Sequence, residues 1–361
     1  MKKNVLFFSA LILFFYQGYA QEKMPIEDSV LFAGEKHFKN IRQLTFGGDN
    51  AEAYWSYDGK SIVFQRTNAK EGIACDQIFI GKIPTSEKEA FAPKMLSNGK
   101  GRTTCAYFLP DGKHVIYAST HLGAEACPPV PDRSKYGNKY IWPLYDSYDI
   151  FMASLDGKIV KQLTTAKGYD AEGTLSPNGK KMIYCSDKEG DLDLYIMDLK
   201  TGKEKRITNT LGYDGGAWFS PDGKKIVWRA SRPKSVAEIK EYKELLAQGM
   251  VAPTHMEVYV ANVDGSDAKQ ITYLEQANWA PNFTPDGKHI IFCSNHEYKR
   301  GFPFNMYLTD LEGKGLEKIS RDKGFDAFPM FSPDGKKIIF ASNRNNGGTR
   351  DTNLFVADWV D

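Results

Sequence analysis

What this sequence lacks narrows the field first. It contains no Gly-x-Ser-x-Gly, no His-Glu-x-x-His, no dinucleotide glycine fingerprint and no phosphate-binding loop. By motif, that argues against the familiar nucleophilic and zinc hydrolases and the common nucleotide binders. His255 and His296 are too isolated to read as a zinc site. An excess of either charge is also missing. Without Lys2 and Lys3 the chain carries 45 basic and 45 acidic residues, so there is no electrostatic reason to expect nucleic acid or an anionic membrane as partner. After residue 20 no stretch is apolar enough to span a membrane, and no cysteine precedes Cys75. Neither membrane insertion nor a lipid-anchored start is expected.

Residues 1–20 read as a secretory signal peptide. Lys2 and Lys3 precede an apolar run from Val5 to Tyr16, and Gly18-Tyr19-Ala20 offers a small-residue cleavage site. The expectation is a periplasmic or secreted monomer, with a lead-in over 21–40. Export permits disulfides. Five cysteines leave at least one thiol free.

The dominant feature is a stretch that recurs six times. Its fullest copy is Phe331-Ser332-Pro333-Asp334-Gly335-Lys336 running into Ile338-Ile339-Phe340. The others centre on Asp58-Gly59, Asp111-Gly112, Asn178-Gly179, Asp222-Gly223 and Asp286-Gly287, at intervals of 44 to 67 residues. Pro at the second turn position and Gly in the left-handed one suit a hairpin turn with a bulge. A third apolar segment follows each hairpin, as in Asp193-Leu194-Tyr195-Ile196, and then a fourth, as in Lys205-Arg206-Ile207-Thr208. Four strands per unit predict an all-β fold, a six-bladed propeller of four-stranded antiparallel blades spanning 41–361. The last unit ends after its third strand, and a spare fourth strand, Ile41 to Thr45, precedes the first. Closing the ring with that strand in the last blade costs only about 2 kcal/mol more loop entropy than a local connection.

The Ser-Pro-Asp-Gly-Lys hairpins and Leu/Ile-Thr fourth strands resemble the WD-like propeller repeat of the TolB family, over about residues 40–361. That resemblance implies a β-propeller. Residues 21–40 are too few for the N-terminal α/β domain of TolB, so its role in the Tol–Pal system is not expected to carry over. Prolyl oligopeptidases use similar repeats ahead of a hydrolase domain, and none is expected here. Oligogalacturonate lyase resembles this architecture and implies that such a propeller can itself hold an active site.

Two long connections, 120–148 and 232–256, both join a second strand to a third and so fall on one end of the ring. The first carries Cys127-Pro128-Pro129-Val130-Pro131-Asp132 and an aromatic stretch around Trp142. The second carries a helix capped by Ser235, with Glu238 completing a capping box. Residues entering the first strands should line the channel mouth at that end. Aligned on the turns, they bring Glu52, Asp170, Glu172 and Asp214 toward the axis. Clustered carboxylates suit a divalent cation or acid–base work, whereas the repeated Gly-Tyr/Phe-Asp context of Asp170, Asp214 and Asp326 suits turn fixing. Glu52 and Glu172 are less repetitive. A basic column after the second strands, comprising His121, Lys188, Arg232, His296 and Arg344, would face this mouth and suit an anionic ligand, whereas the Ser-Asn-Arg endings of these repeats suit pinning of the local turn. His121 and Arg229 depart most from the repeat, and His255 lies near the second insertion.

Cys185 and Cys293 occupy equivalent strand positions and read as buried packing residues. Two of Cys75, Cys105 and Cys127 are expected to pair, without the sequence choosing which.

These readings favour a module without catalytic residues or cofactor, binding an envelope protein or a glycan or peptide ligand on the insertion-bearing face through Glu52, His121, Trp142, Asp170, Glu172, Asp214, Arg229 and Arg232. The alternative is a lyase- or hydrolase-type enzyme, or a metal-dependent binder, with a divalent cation at the channel mouth and Glu52, Glu172 and His121 central.

Overall fold

Each hairpin turn is closed by bonds that its own residues supply. In the last copy the Ser332 hydroxyl donates to Asp334 at 2.7 Å, the Lys336 amide donates to the same carboxylate oxygen at 3.1 Å, and the Lys337 amide donates to the Ser332 hydroxyl at 2.9 Å. Ser56, Ser176, Ser220 and Thr284 repeat the pattern. The motif therefore satisfies its own polar groups locally, and the flanking segments are free to pair.

The computed structural model describes residues 30–360 except 87, 138, 299, 300 and 302. The expected signal peptide lies outside the described residues. Six four-stranded antiparallel sheets form the ring. Blade one is Asp49–Trp55, Ser61–Asn68, Ile73–Lys82 and Lys94–Met95; blade two is Thr103–Phe108, His114–Ser119, Asp149–Ser154 and Ile159–Gln162. Blade three is Asp170–Leu175, Lys181–Ser186, Asp193–Asp198 and Glu204–Arg206; blade four is Asp214–Phe219, Lys225–Ala230, Glu257–Asn262 and Lys269–Gln270. Blade five is Asn278–Phe283, His289–Ser294, Asn305–Asp310 and Glu317–Lys318. Blade six combines Asp326–Phe331, Lys337–Ser342 and Asn353–Trp359 with the N-terminal strand Phe38–Gln43. That closing strand starts three residues earlier than its apolar pattern suggested. Phe38 extends the ladder to Trp359 and stacks on Phe340 at 5.4 Å.

Second strands are the most deeply buried, as in Ile62-Val63-Phe64 and Ile338-Ile339-Phe340, because blades pack on both of their faces. The turns also touch one another. A Cβ on Gly335 of blade six would meet Pro285 of blade five at 3.5 Å, and the glycine of each turn in blades one, three, four and five faces the preceding blade's proline in the same way. Gly112 of blade two faces nothing, because blade one carries Tyr57 where the others have proline.

The two insertions, read as separate excursions, join. Trp142–Pro143 pairs antiparallel with Met250–Val251. The helix Val236–Leu246, with the expected capping box in place, buries Tyr242 and Leu245. Tyr242 donates from its hydroxyl to Asp191 of blade three, Tyr136 reaches Gln248 at 3.1 Å, and Lys139 pairs with Glu241. The insertions of blades two and four thus form one lid over blade three and the axis. Cys75 and Cys127 form a disulfide that ties the lid to blade one. Among the described residues no helix is long and apolar enough to cross a membrane.

Candidate functional site

Six equivalent residues near the start of the six first strands share one backbone conformation. Glu52, Cys105, Glu172, Gly216, Ala280 and Phe328 have φ of 52°, 52°, 61°, 60°, 50° and 54°. Each lies where the pairing of first and second strands shifts register, so each is the extra residue of a bulge. The left-handed conformation is disfavoured for residues with a Cβ, yet five of these six have one. Glu52, Cys105, Glu172, Gly216, Ala280 and Phe328 together line a cavity of about 30 Å³.

Charge gathers on one side of this ring. Glu172 accepts hydrogen bonds from the Tyr213 hydroxyl at 2.7 Å, from the Arg229 guanidinium at 2.9 Å, and from the Gly216 amide. Arg229 Nη2 also lies 2.9 Å from the Tyr213 hydroxyl. The side chains of Arg229 and Glu172 are only 10% and 9% exposed. Room for this pair comes from two glycines: a Cβ on Gly216 would lie 2.2 Å from Arg229 Nη1, and one on Gly215 would lie 2.4 Å from Glu172 Oε2. Across the axis the Cys105 thiol donates to Glu52 at 3.0 Å. Burial raises the Glu52 carboxyl above its usual value, with the Cys105 hydrogen bond and the Arg229 charge opposing. Burial and the Glu52 charge push the Cys105 thiol far up, which leaves it unreactive as a nucleophile. Burial works against the charge of Arg229, but Glu172, Tyr213, Glu52 and Cys105 together outweigh it and hold the guanidinium well above its usual range.

Aromatic side chains narrow both ends of this layer. Below it, Trp218 of blade four meets Tyr54 of blade one and Tyr107 of blade two, each at 5.0 Å between centroids, across the axis. Above it, the Trp142 ring of the lid lies 5.2 Å from the Arg229 guanidinium and packs on Trp279 at 5.3 Å. The axis is a packed core with a buried ion pair. A cavity of 30 Å³ has room for a water or two, against the hundreds of cubic ångströms of an ordinary ligand pocket.

The expected residues divide accordingly. Glu52, Glu172, Arg229 and Trp142 come together. Asp214 does not face the axis: it accepts from Trp228 Nε1 and Arg232, each at 2.6 Å, and burial raises its carboxyl to about 6. Asp170, also raised to about 6 by burial, bonds Ser186 within its own blade. The members of the basic column find partners on their own or a neighbouring segment, as the turn-pinning reading has it. Arg232 takes Asp214, Lys188 takes Glu204 at 2.6 Å, and Arg344 takes Asp326 at 2.8 Å. His121 is not brought to Glu52 or Glu172; its ring packs on Phe151 at 4.5 Å and bonds Ser119 at 2.9 Å. His255 is exposed and bonds the Glu275 carbonyl. Among the described residues no group of three or more His, Cys, Asp or Glu side chains is placed to hold a metal ion.

Tyr213 was missed, since its Gly-Tyr-Asp context repeats at Tyr169 and hides its role. The readable signal was a size swap. Arg229 stands where other blades have Gln65, Ala118, Cys185, Cys293 and Ala341, and it pairs in register with Gly215.

Comparison with known proteins agrees with this architecture. The TolB beta propeller domain model matches residues 131–249 and 246–350. A TolB homolog of Chlorobium luteolum is 34% identical over 55 residues, 15% of this chain and only 13% of that protein's length. The solved structure of a putative TolB from Agrobacterium tumefaciens superposes with a TM-score of 0.55 at 19% identity, covering 87% of this chain and 91% of that one. An oligogalacturonate lyase from Vibrio parahaemolyticus reaches 0.50 at 13% identity, covering 88% and 93%. At these identities both structures show the fold alone.

Proposed function

We propose, from the premise that the chain belongs to the TolB β-propeller domain family, that it is an exported, non-catalytic binding module. It holds an envelope protein or glycan on the outer surface of its lid. The observation that carries this reading is the filled axis: the lid and the Tyr54–Tyr107–Trp218 plug leave only about 30 Å³ between them. Glu172, the best placed acid, already accepts from Tyr213, Arg229 and Gly216. A channel-mouth enzyme or metal-dependent binder needs an open site shared by Glu52, Glu172 and His121, and this geometry does not favour one.

The outer surface supports binding instead. Nine large apolar side chains are exposed among the described residues, and six of them, Phe46, Leu122, Val130, Tyr140, Val236 and Tyr273, sit on connections at the lid-bearing end. Four of them, Leu122, Val130, Tyr140 and Val236, belong to the two insertions and give the lid apolar side chains to bury against a partner. The test is capture from the envelope fraction of the source organism with the wild-type protein and with deletions of 123–147 or 235–252, each checked for an intact ring by circular dichroism. Both deletions are expected to lose the captured partner; capture undiminished in both overturns the proposal.

A further inference from the structure

Part of the lid takes no role in filling the axis: the run Cys127-Pro128-Pro129-Val130-Pro131-Asp132. Three prolines fix their own φ near −65°, and a proline restricts the residue before it to extended or polyproline II backbone. Cys127, Pro128 and Val130 each precede one, so the whole run 127–131 is confined by its covalent structure. It lies in no strand or helix. Both ends are fixed. Cys127 is bonded to Cys75 of blade one. Asp132 caps the short 3-10 helix Arg133–Tyr136 by accepting from the Ser134 amide at 3.0 Å. In the middle, the Tyr145 hydroxyl donates to the Pro129 carbonyl at 3.0 Å. Val130 is 67% exposed and Pro129 is exposed, while Pro128 and Pro131 are half-buried. Two positions beyond Pro131, the exposed Arg133 has its guanidinium held over the Tyr140 ring at 4.7 Å, and it forms no ion pair among the described residues.

We propose that Pro128-Pro129-Val130-Pro131 is a presented polyproline II ligand, with Arg133, in the first turn of the 3-10 helix that follows, as its flanking base. The partner it fits is a protein with an aromatic-lined groove of the SH3 type, bearing an acidic residue for Arg133. Pro128 and Pro131 have the Pro-x-x-Pro spacing that seats two prolines between parallel aromatic rings, and Arg133 stands where a flanking base fixes the direction of binding. A segment already held in its bound shape loses little conformational freedom on docking. The disulfide therefore acts as the device that keeps the ligand preformed. This rests on the binding reading of the lid and narrows it to one partner class.

The probe is a purified, isotope-labelled SH3 domain selective for Pro-x-x-Pro-x-Arg, titrated with the full mature protein and followed by NMR. Saturable shifts of the groove aromatics are expected. Binding should weaken at least tenfold for Pro128→Ala/Pro131→Ala, at least tenfold for Arg133→Glu, and severalfold for Cys75→Ser/Cys127→Ser, which keeps the motif but frees its end. No shifts up to millimolar protein, or equal binding by the double proline variant, overturns the inference. Envelope-fraction capture separates this failure from that of the broader reading. If the double proline variant captures normally while the 235–252 deletion does not, the polyproline ligand is wrong and the lid surface still binds. If every variant captures normally, both fail.

Discussion

The buried pair Glu172–Arg229 is where single side chains matter most. Its charges are nearly out of water, and Tyr213 and the Gly216 amide complete the shell of Glu172. Removing one member of such a pair leaves an uncompensated charge, a loss of about 3–5 kcal/mol, whereas replacing both with apolar groups of similar size is often near neutral. Arg229→Ala should lower stability by about that amount in urea unfolding, and Glu172→Leu/Arg229→Met should regain most of it. An Arg229→Ala variant within about 1 kcal/mol of wild type would show the pair to be solvated. Half of this constellation was legible in the sequence. Glu172 and Arg229 stand out because they break a sixfold pattern. Tyr213 was not legible, because its immediate context follows the pattern. Position along a repeat cannot reveal that one tyrosine of an equivalent pair reaches a carboxylate in the neighbouring blade.

Among elements, the hairpins and the lid differ in how far their contacts reach. Turn bonding is complete within Ser332 to Lys337, so a local reading recovers every blade. Lid pairing joins Trp142–Pro143 to Met250–Val251, two residues on each side, one of them a proline. That is too short for any alternation of apolar and polar residues, and its partner lies a hundred residues away. The helix was readable from its caps, but not the fact that it and the aromatic stretch are one structure. The Cys75–Cys127 bond shows the same limit: three cysteines share one end of the ring, and only the packing separates them. Cys105 stays free because its thiol points to Glu52. Cys75→Ser/Cys127→Ser is expected to cost about 2–4 kcal/mol. In limited proteolysis, cleavage should appear first within 123–138, while the ring remains protected. Cleavage no faster than in wild type would mean that the pairing with Met250–Val251 holds the lid unaided.

At the scale of the whole molecule, the carboxylates set the response to pH in two opposed groups. Asp170 and Asp214 titrate near 6 because burial disfavours their charge, above the ordinary Asp value of about 3.9. Their folded forms bind protons more tightly than the unfolded chain, so this contribution is full below about 4 and is lost as pH rises through about 6. The turn carboxylates Asp58, Asp222 and Asp334 are held below their usual value by the neighbouring serine hydroxyl. Their contribution is present above about 4 and is lost as pH falls through their folded values. His121 and His296, lowered by burial, oppose the first group weakly. The midpoint of thermal unfolding should therefore rise by a few degrees from pH 7.5 to 5, then fall below pH 4, and Asp170→Asn should flatten the rise. A midpoint that falls steadily from pH 7.5 to 5 would contradict the assignment. The ring closure has a consequence of its own, in time rather than energy. Phe38–Gln43 is synthesised about 310 residues before its partner Asn353–Trp359. At ribosomal rates the earlier strand waits roughly 15–60 s for its mate. Throughout that interval five blades can assemble while Phe38 and Ile41 remain without the strand that will cover them. The nascent chain therefore depends on whatever shields that segment until Asn353–Trp359 arrives.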